Sequence, residues 1–208
     1  MTLPLDYLPE SPSQTAGPYV HIGTNPNWVE ITGVWRNDLG LVLVGPDTRG
    51  ERILVEGRVT DGAGAPVRDA LVEIWQADAA GFHPSPAETR GQADPHFAGW
   101  GRQPLSAEDG SFRFETIRPG RVPYPDGRLQ APHITVWIVA RGINVGLHTR
   151  LYFSDEEEAN AADPLLNRIP EPDRRATLIA ERSERDGLAA FRFDIRLQGE
   201  RETVFLDM

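Results

Sequence analysis

The sequence predicts an all-β fold: a β-sandwich core with long loops, short peripheral helices and an extended N-terminal arm. Three observations carry this reading. Seven or eight short segments are rich in branched and aromatic residues and alternate apolar with polar positions, as half-buried strands do. Clusters of Gly, Pro, Asp and Ser separate them, and these residues end strands and make turns. Only two stretches, both short, carry helix signals. A small barrel fits the same pattern and stays open beside the sandwich.

Residues 1–30 hold five prolines and little periodicity, which predicts an extended arm, since proline blocks ladder bonds and helix interiors. Residues 31–208 are expected to form a single domain. Its first strand is Arg52 to Thr60, with Ile53, Val55, Gly57 and Val59 on one side, ended by the turn-forming run 61–66. Ala70 to Gln76 follows, with Val72, Ile74 and Gln76 on one face. Residues 77–110 are read as one long loop, a length that is often functional. Ser111 to Thr116, His133 to Ala140, Leu147 to Phe153 and Ala190 to Leu197 are further strands, and Arg201 to Leu206 is a short edge strand. Helices are expected at Asp155 to Ala161 and from Asp173, read as an N-cap, to about Arg182.

Composition limits the function classes. The 208 residues are enough for one domain with a full core. The formal net charge of −10 argues against nucleic-acid and acidic-membrane partners, which need a basic face. There is no cysteine, so disulfides, thiolate zinc sites, iron–sulfur clusters and cysteine nucleophiles are excluded. No basic segment runs into an apolar one at the N-terminus, and no apolar run reaches spanning length. A cytoplasmic location is the resulting expectation.

The run Ala131-Pro132-His133-Ile134-Thr135 looks like a metal-binding strand lacking a ligand. Two imidazoles at H-x-H spacing share one face of a strand; here the second position is Thr135, whose hydroxyl is a poor replacement. Val72-Glu73-Ile74-Trp75-Gln76 precedes a loop reaching His83, and Arg118-Pro119-Gly120 leads to Val122 and Tyr124. These motifs, with Gln14 to Tyr19, Arg141-Gly142-Ile143-Asn144 and Leu147 to Phe153, resemble the intradiol ring-cleaving dioxygenases. The resemblance runs from Leu8 to Phe205 and is closest to the alpha chains of family members built from two kinds of chain.

The resemblance implies a ferric iron held by two tyrosines and two histidines in catalytic chains, positions that fall here on His83, Val122, His133 and Thr135. It also implies an arginine three residues before the histidine pair, where this chain has Gln130. No metal is therefore expected in this chain, and the four positions are vestigial. A remnant site using His83, His133 and Tyr124 after a loop shift is the weaker alternative. Fe(3+) is expected in a homologous beta chain, and the complex would cleave 3,4-dihydroxybenzoate with O2 to 3-carboxy-cis,cis-muconate. Higher-order assembly of alpha–beta units is implied as well.

The resemblance further implies that Thr15, Gly17, Pro18 and Tyr19 help wall the partner's substrate pocket and that Arg141 belongs to the substrate region. The residue chemistry permits this: Gly17 allows close backbone approach, Pro18 fixes an extended arm, and Thr15 and Tyr19 offer hydroxyls. An arginine fork suits a benzoate carboxylate. Against these stand an arm that packs Tyr19 on its own core and an Arg141 that is an ordinary surface ion. Two other functions compete: a stand-alone catechol dioxygenase with unusual ligands, and a nonenzymatic sandwich module that binds protein or sugar.

Overall fold

The computed structural model describes residues 15–17 and 19–207. Among the described residues, nine strands are joined by pairing, eight of them in one path. They are β1 (Arg52–Thr60), β2 (Leu71–Trp75), β3 (Trp100–Pro104), β4 (Ser111–Ile117), β5 (His133–Val139), β6 (Leu147–Phe153), β7 (Ile179–Arg185), β8 (Leu188–Arg192) and β9 (Ile195–Arg196). Their order is β3-β2-β5-β6-β7-β8-β1-β4, with β9 also on β1. Strand β7 pairs with β6 through Ile179 and Ala180, then with β8 through Glu181 to Arg185. That change of partner divides the path into two sheets, and the core lies between them. Ile134, Val136, Ile138, Leu151 and Phe153 of one half meet Val55, Phe112, Phe114 and Phe191 of the other. This is the expected sandwich.

The strand pattern explains which face is which. In β5, Ile134, Val136 and Ile138 are buried and His133, Thr135 and Trp137 are half-buried on the other side. The apolar set therefore fixes register, and the polar set is left on the face that carries the candidate site. Gln76 ties the sheets together: its Nε2 donates to the Ile117 carbonyl at 2.9 Å, and the Thr116 hydroxyl donates to its Oε1 at 2.9 Å. Phe153 and Phe191 pack edge to face with centroids 4.8 Å apart, and the Arg118 guanidinium lies over both rings. Gly57 is a steric requirement, because a Cβ there would stand 1.9 Å from the Phe193 carbonyl oxygen.

Several expectations need correction. The long loop contains β3, which the Gly/Pro-rich composition around it obscures; β3 pairs with β2. The helix expected from Asp173 is only Pro172–Ala176, with Glu171 in the N-cap position, and residues 179–185 are a strand. The segment 190–197 is split between β8 and β9, because both strands must pair in parallel with β1 at different points. Residues 201–206 make one isolated bridge, Leu206 to His148. The arm region contains a short helix, Val20–Thr24. Pro18 lies outside the described residues. No helix among the described residues is long and apolar enough to cross a membrane.

Candidate functional site

Two loci carry the predicted residues, and they lie toward opposite ends of β5. The first is a small cavity. His83, Val122, His133 and Thr135, the four predicted ligand positions, all line it together with Trp75, Gln76, Ala77 and Gly120. Local folding explains the convergence. Asp78 closes the turn after β2: its Oδ1 accepts from the Ala80 and Phe82 amides, each at 2.9 Å, and its carbonyl accepts from Gly120 at 2.8 Å. Gly81 has φ +85° and would place a Cβ 2.3 Å from the Arg121 carbonyl oxygen. Only glycine lets these two loops meet so closely, and their meeting sets His83 beside Val122.

The cavity measures about 10 Å³, room for roughly one water molecule. The His133 Nδ1–H donates to the Ala131 carbonyl at 2.8 Å. Burial, then the positive charge of Arg150, lowers the His133 pKa to about 4. His83 stacks on Trp75 with centroids 5.7 Å apart and planes 16° apart. Its pKa is also lowered, by burial first and then by Arg90. The Glu88 carboxylate accepts the His83 amide at 3.1 Å and pairs with Arg90, which pulls the Glu88 pKa down to about 2. Both imidazoles are therefore neutral at neutral pH.

Tyr124 does not complete a ligand set. Its hydroxyl accepts from Arg168 Nη1 at 3.3 Å, and it is absent from the cavity lining. The donors facing the cavity are two imidazoles and one hydroxyl, with none at Val122. They do not fit ferric iron, which favours hard anionic oxygens.

Arg150 sharpens that misfit and was missed by sequence reasoning. In the β5–β6 ladder Arg150 stands opposite Thr135, so the two side chains leave the same face. Its Nη1 donates to Gln130 Oε1 at 2.6 Å. A cation from the neighbouring strand thus stands beside Gln130, the position where the family resemblance expects an arginine. The available signal was the hairpin register, which the loop between the strands concealed.

The second locus is the turn after β5. The Thr15 hydroxyl donates to the Ala140 carbonyl at 3.0 Å and accepts from the Gly142 amide at 2.7 Å. Arg141, 66% exposed, sits between those anchors with its Nε 3.0 Å from Asp69 Oδ2. Two predicted substrate-region elements, the arm and Arg141, are therefore brought together. Tyr19 is 76% exposed and does not pack on this chain's core. Nothing lies within 4 Å of a Cβ built on Gly17, so any close approach there comes from outside the described residues. Six positions from Thr135 to Arg141 along an extended strand span roughly 20 Å. Arg141 and Thr15 consequently do not wall the first cavity.

A third feature adjoins the arm. Trp28, Val34, Trp35, Leu39, Leu41 and Val42 are large apolar side chains left exposed. Exposed apolar side chains this close in sequence are frequent in contact faces.

A family model described as Dioxygenase matches residues 24–199. The chain is 47% identical over 209 residues to the protocatechuate 3,4-dioxygenase alpha chain of Pseudomonas putida, covering 99% of this chain and 100% of the relative. It is 37% identical over 160 residues to the protocatechuate 3,4-dioxygenase beta chain of Burkholderia cepacia, covering 74% of this chain and 67% of that one. Among solved structures it resembles the dioxygenase domain of a dioxygenase carbohydrate-binding protein fusion from Streptomyces sp. SirexAA-E. That match has TM-score 0.55 and 29% identity over 79% of this chain and 88% of that chain.

Proposed function

The chain belongs to the intradiol ring-cleaving dioxygenases, and we propose that it is the iron-free alpha subunit of a cytoplasmic protocatechuate 3,4-dioxygenase. The catalytic Fe(3+) resides in a homologous beta chain. The complex opens 3,4-dihydroxybenzoate between its hydroxyls with O2, and alpha–beta units assemble further. Residues 31–208 act as one domain behind the arm 1–30. The observation that carries the reading is the separation of the two loci. The former ligand positions enclose room for one water, while Thr15 meets the turn of Arg141 on exposed surface and Tyr19 is exposed as well.

In this reading His83, Val122, His133 and Thr135 are vestigial, and the partner's iron supplies the redox chemistry. This chain's residues bind and orient. Arg141 presents N–H donors to the substrate carboxylate, Thr15 fixes the turn that carries Arg141, and Gly17, Pro18 and Tyr19 form wall. The exposed apolar side chains near the arm give the beta chain a surface to cover. The test compares the purified chain alone with the chain mixed with its beta partner. The expected result is negligible iron and no ring cleavage alone, and a coloured, active complex on mixing. Stoichiometric iron with turnover in the isolated chain refutes the proposal and supports a stand-alone dioxygenase.

A further inference from the structure

We infer that Asp69 is a positioning residue for Arg141: its carboxylate holds the guanidinium by Nε and so aims the outer N–H fork at the substrate's carboxylate. This rests on the proposed role of Arg141 in binding that carboxylate. The last β2–β5 pair is Leu71 opposite Val139. Continuing the antiparallel register by two residues on each strand sets Asp69 opposite Arg141, and the side chains meet with Nε 3.0 Å from Oδ2. Both residues lie just beyond the strand ends, Asp69 in the bend before β2 and Arg141 in the turn after β5, so the ladder brings the two together.

The two partners differ in environment. Asp69 Oδ2 is shielded from solvent and has no hydrogen-bond partner among the described residues, leaving the Arg141 charge as its compensation. An acid oxygen so placed is costly to strand without its cation. Arg141 is 66% exposed, and no hydrogen bond engages its Nη atoms among the described residues. A guanidinium carries five N–H donors in a rigid plane. One carboxylate on Nε leaves the opposite fork free for a second, bidentate carboxylate. Thr15 holds the backbone on either side, at Ala140 and Gly142. The side chain is thus fixed at its root by Thr15 and at its head by Asp69. Arg68 and Asp61 line the same open depression with opposite charges, so they add little net field at the fork.

The experiment uses the full chain assembled with its beta chain and reads kcat/KM for 3,4-dihydroxybenzoate and for catechol. The ratio of the two isolates recognition of the carboxylate. R141A is expected to lower that ratio about 10- to 100-fold. D69A is expected to lower it about three- to tenfold, through KM for the carboxylated substrate and not through kcat. Asp69→Asn keeps the side-chain shape but removes the charge on which the pair rests and should fall with D69A, whereas Asp69→Glu keeps the charge and should recover part of the loss. The double variant D69A/R141A should be no worse than R141A, because the two act through one side chain.

Asp69→Ser, too short to reach Nε, takes the place of D69A if the alanine variant does not assemble. A wild-type ratio in D69A or D69S beside a lowered ratio in R141A overturns the positioning role alone. So does a double variant whose losses multiply. An unchanged ratio in R141A overturns the proposed role of Arg141, and the positioning role falls with it.

Discussion

Replacing Thr15 by valine removes one hydroxyl and keeps the side-chain shape. That hydroxyl accepts from the Gly142 amide at 2.7 Å and donates to the Ala140 carbonyl at 3.0 Å. Each hydrogen bond is worth about 0.5–1.5 kcal/mol net. Both lie near the surface, where water replaces the lost partners, so the lower half of the range applies and the pair contributes about 1–2 kcal/mol. An arm held by that much is released about 5- to 30-fold more often. Two consequences follow. The Gly142 amide should exchange with solvent faster by the same factor, and the turn carrying Arg141 should lose its fixed geometry. The assay is hydrogen exchange at residues 140–143 in the isolated chain. It is joined to kcat/KM for 3,4-dihydroxybenzoate in the assembled complex. Wild-type exchange at Gly142 refutes the anchoring. Faster exchange with wild-type kinetics refutes the link from the arm to the substrate region.

Two further outcomes are expected. His133 has a native pKa near 4, against an ordinary value of 6.5. The unfolded chain therefore binds a proton that the native chain refuses as pH falls through this window. Stability is full above about pH 6.5 and declines toward pH 4, by on the order of 2 kcal/mol once partial exposure is discounted. Urea unfolding across that range should show the decline, and His133→Gln should flatten it. Gly57→Ala drives a methyl into the Phe193 carbonyl, 1.9 Å away. Backbone cannot yield as a side-chain tip can, so a loss of about 3 kcal/mol in urea unfolding is expected.

Much of the sandwich was legible because its strands alternate. Ile134, Val136 and Ile138 in β5, and Val72 and Ile74 in β2, read as one buried face and proved to be one. Elements without that signal were lost. In β3, Trp100-Gly101-Arg102-Gln103-Pro104, one side carries Gly101 in place of an apolar residue, because the Leu43 side chain fills the space there. In β7, Glu181 to Arg185 is wholly exposed, so no apolar alternation distinguishes it from a polar helix. The strand that switches between sheets therefore has the least informative sequence in the fold.

The site was legible residue by residue but not in its electrostatics. The four positions where the family resemblance puts ligands, three of them changed here, all line one cavity. Arg150 and Asp69 escaped notice because their meaning lies in strand register, at Thr135 opposite Arg150 and at Leu71 opposite Val139. The two registers link the loci. On β6, Arg150 brings a fixed positive charge to the end of β5 that carries the cavity, where burial first and then this charge lower the His133 pKa. Beside the start of β2, Asp69 takes up an arginine at the other end of β5 while leaving its fork exposed. The cation at Arg150 disfavours a metal ion in the first cavity, whereas Arg141 is charge-paired through Nε and keeps its fork exposed to an anion, as the proposed function requires.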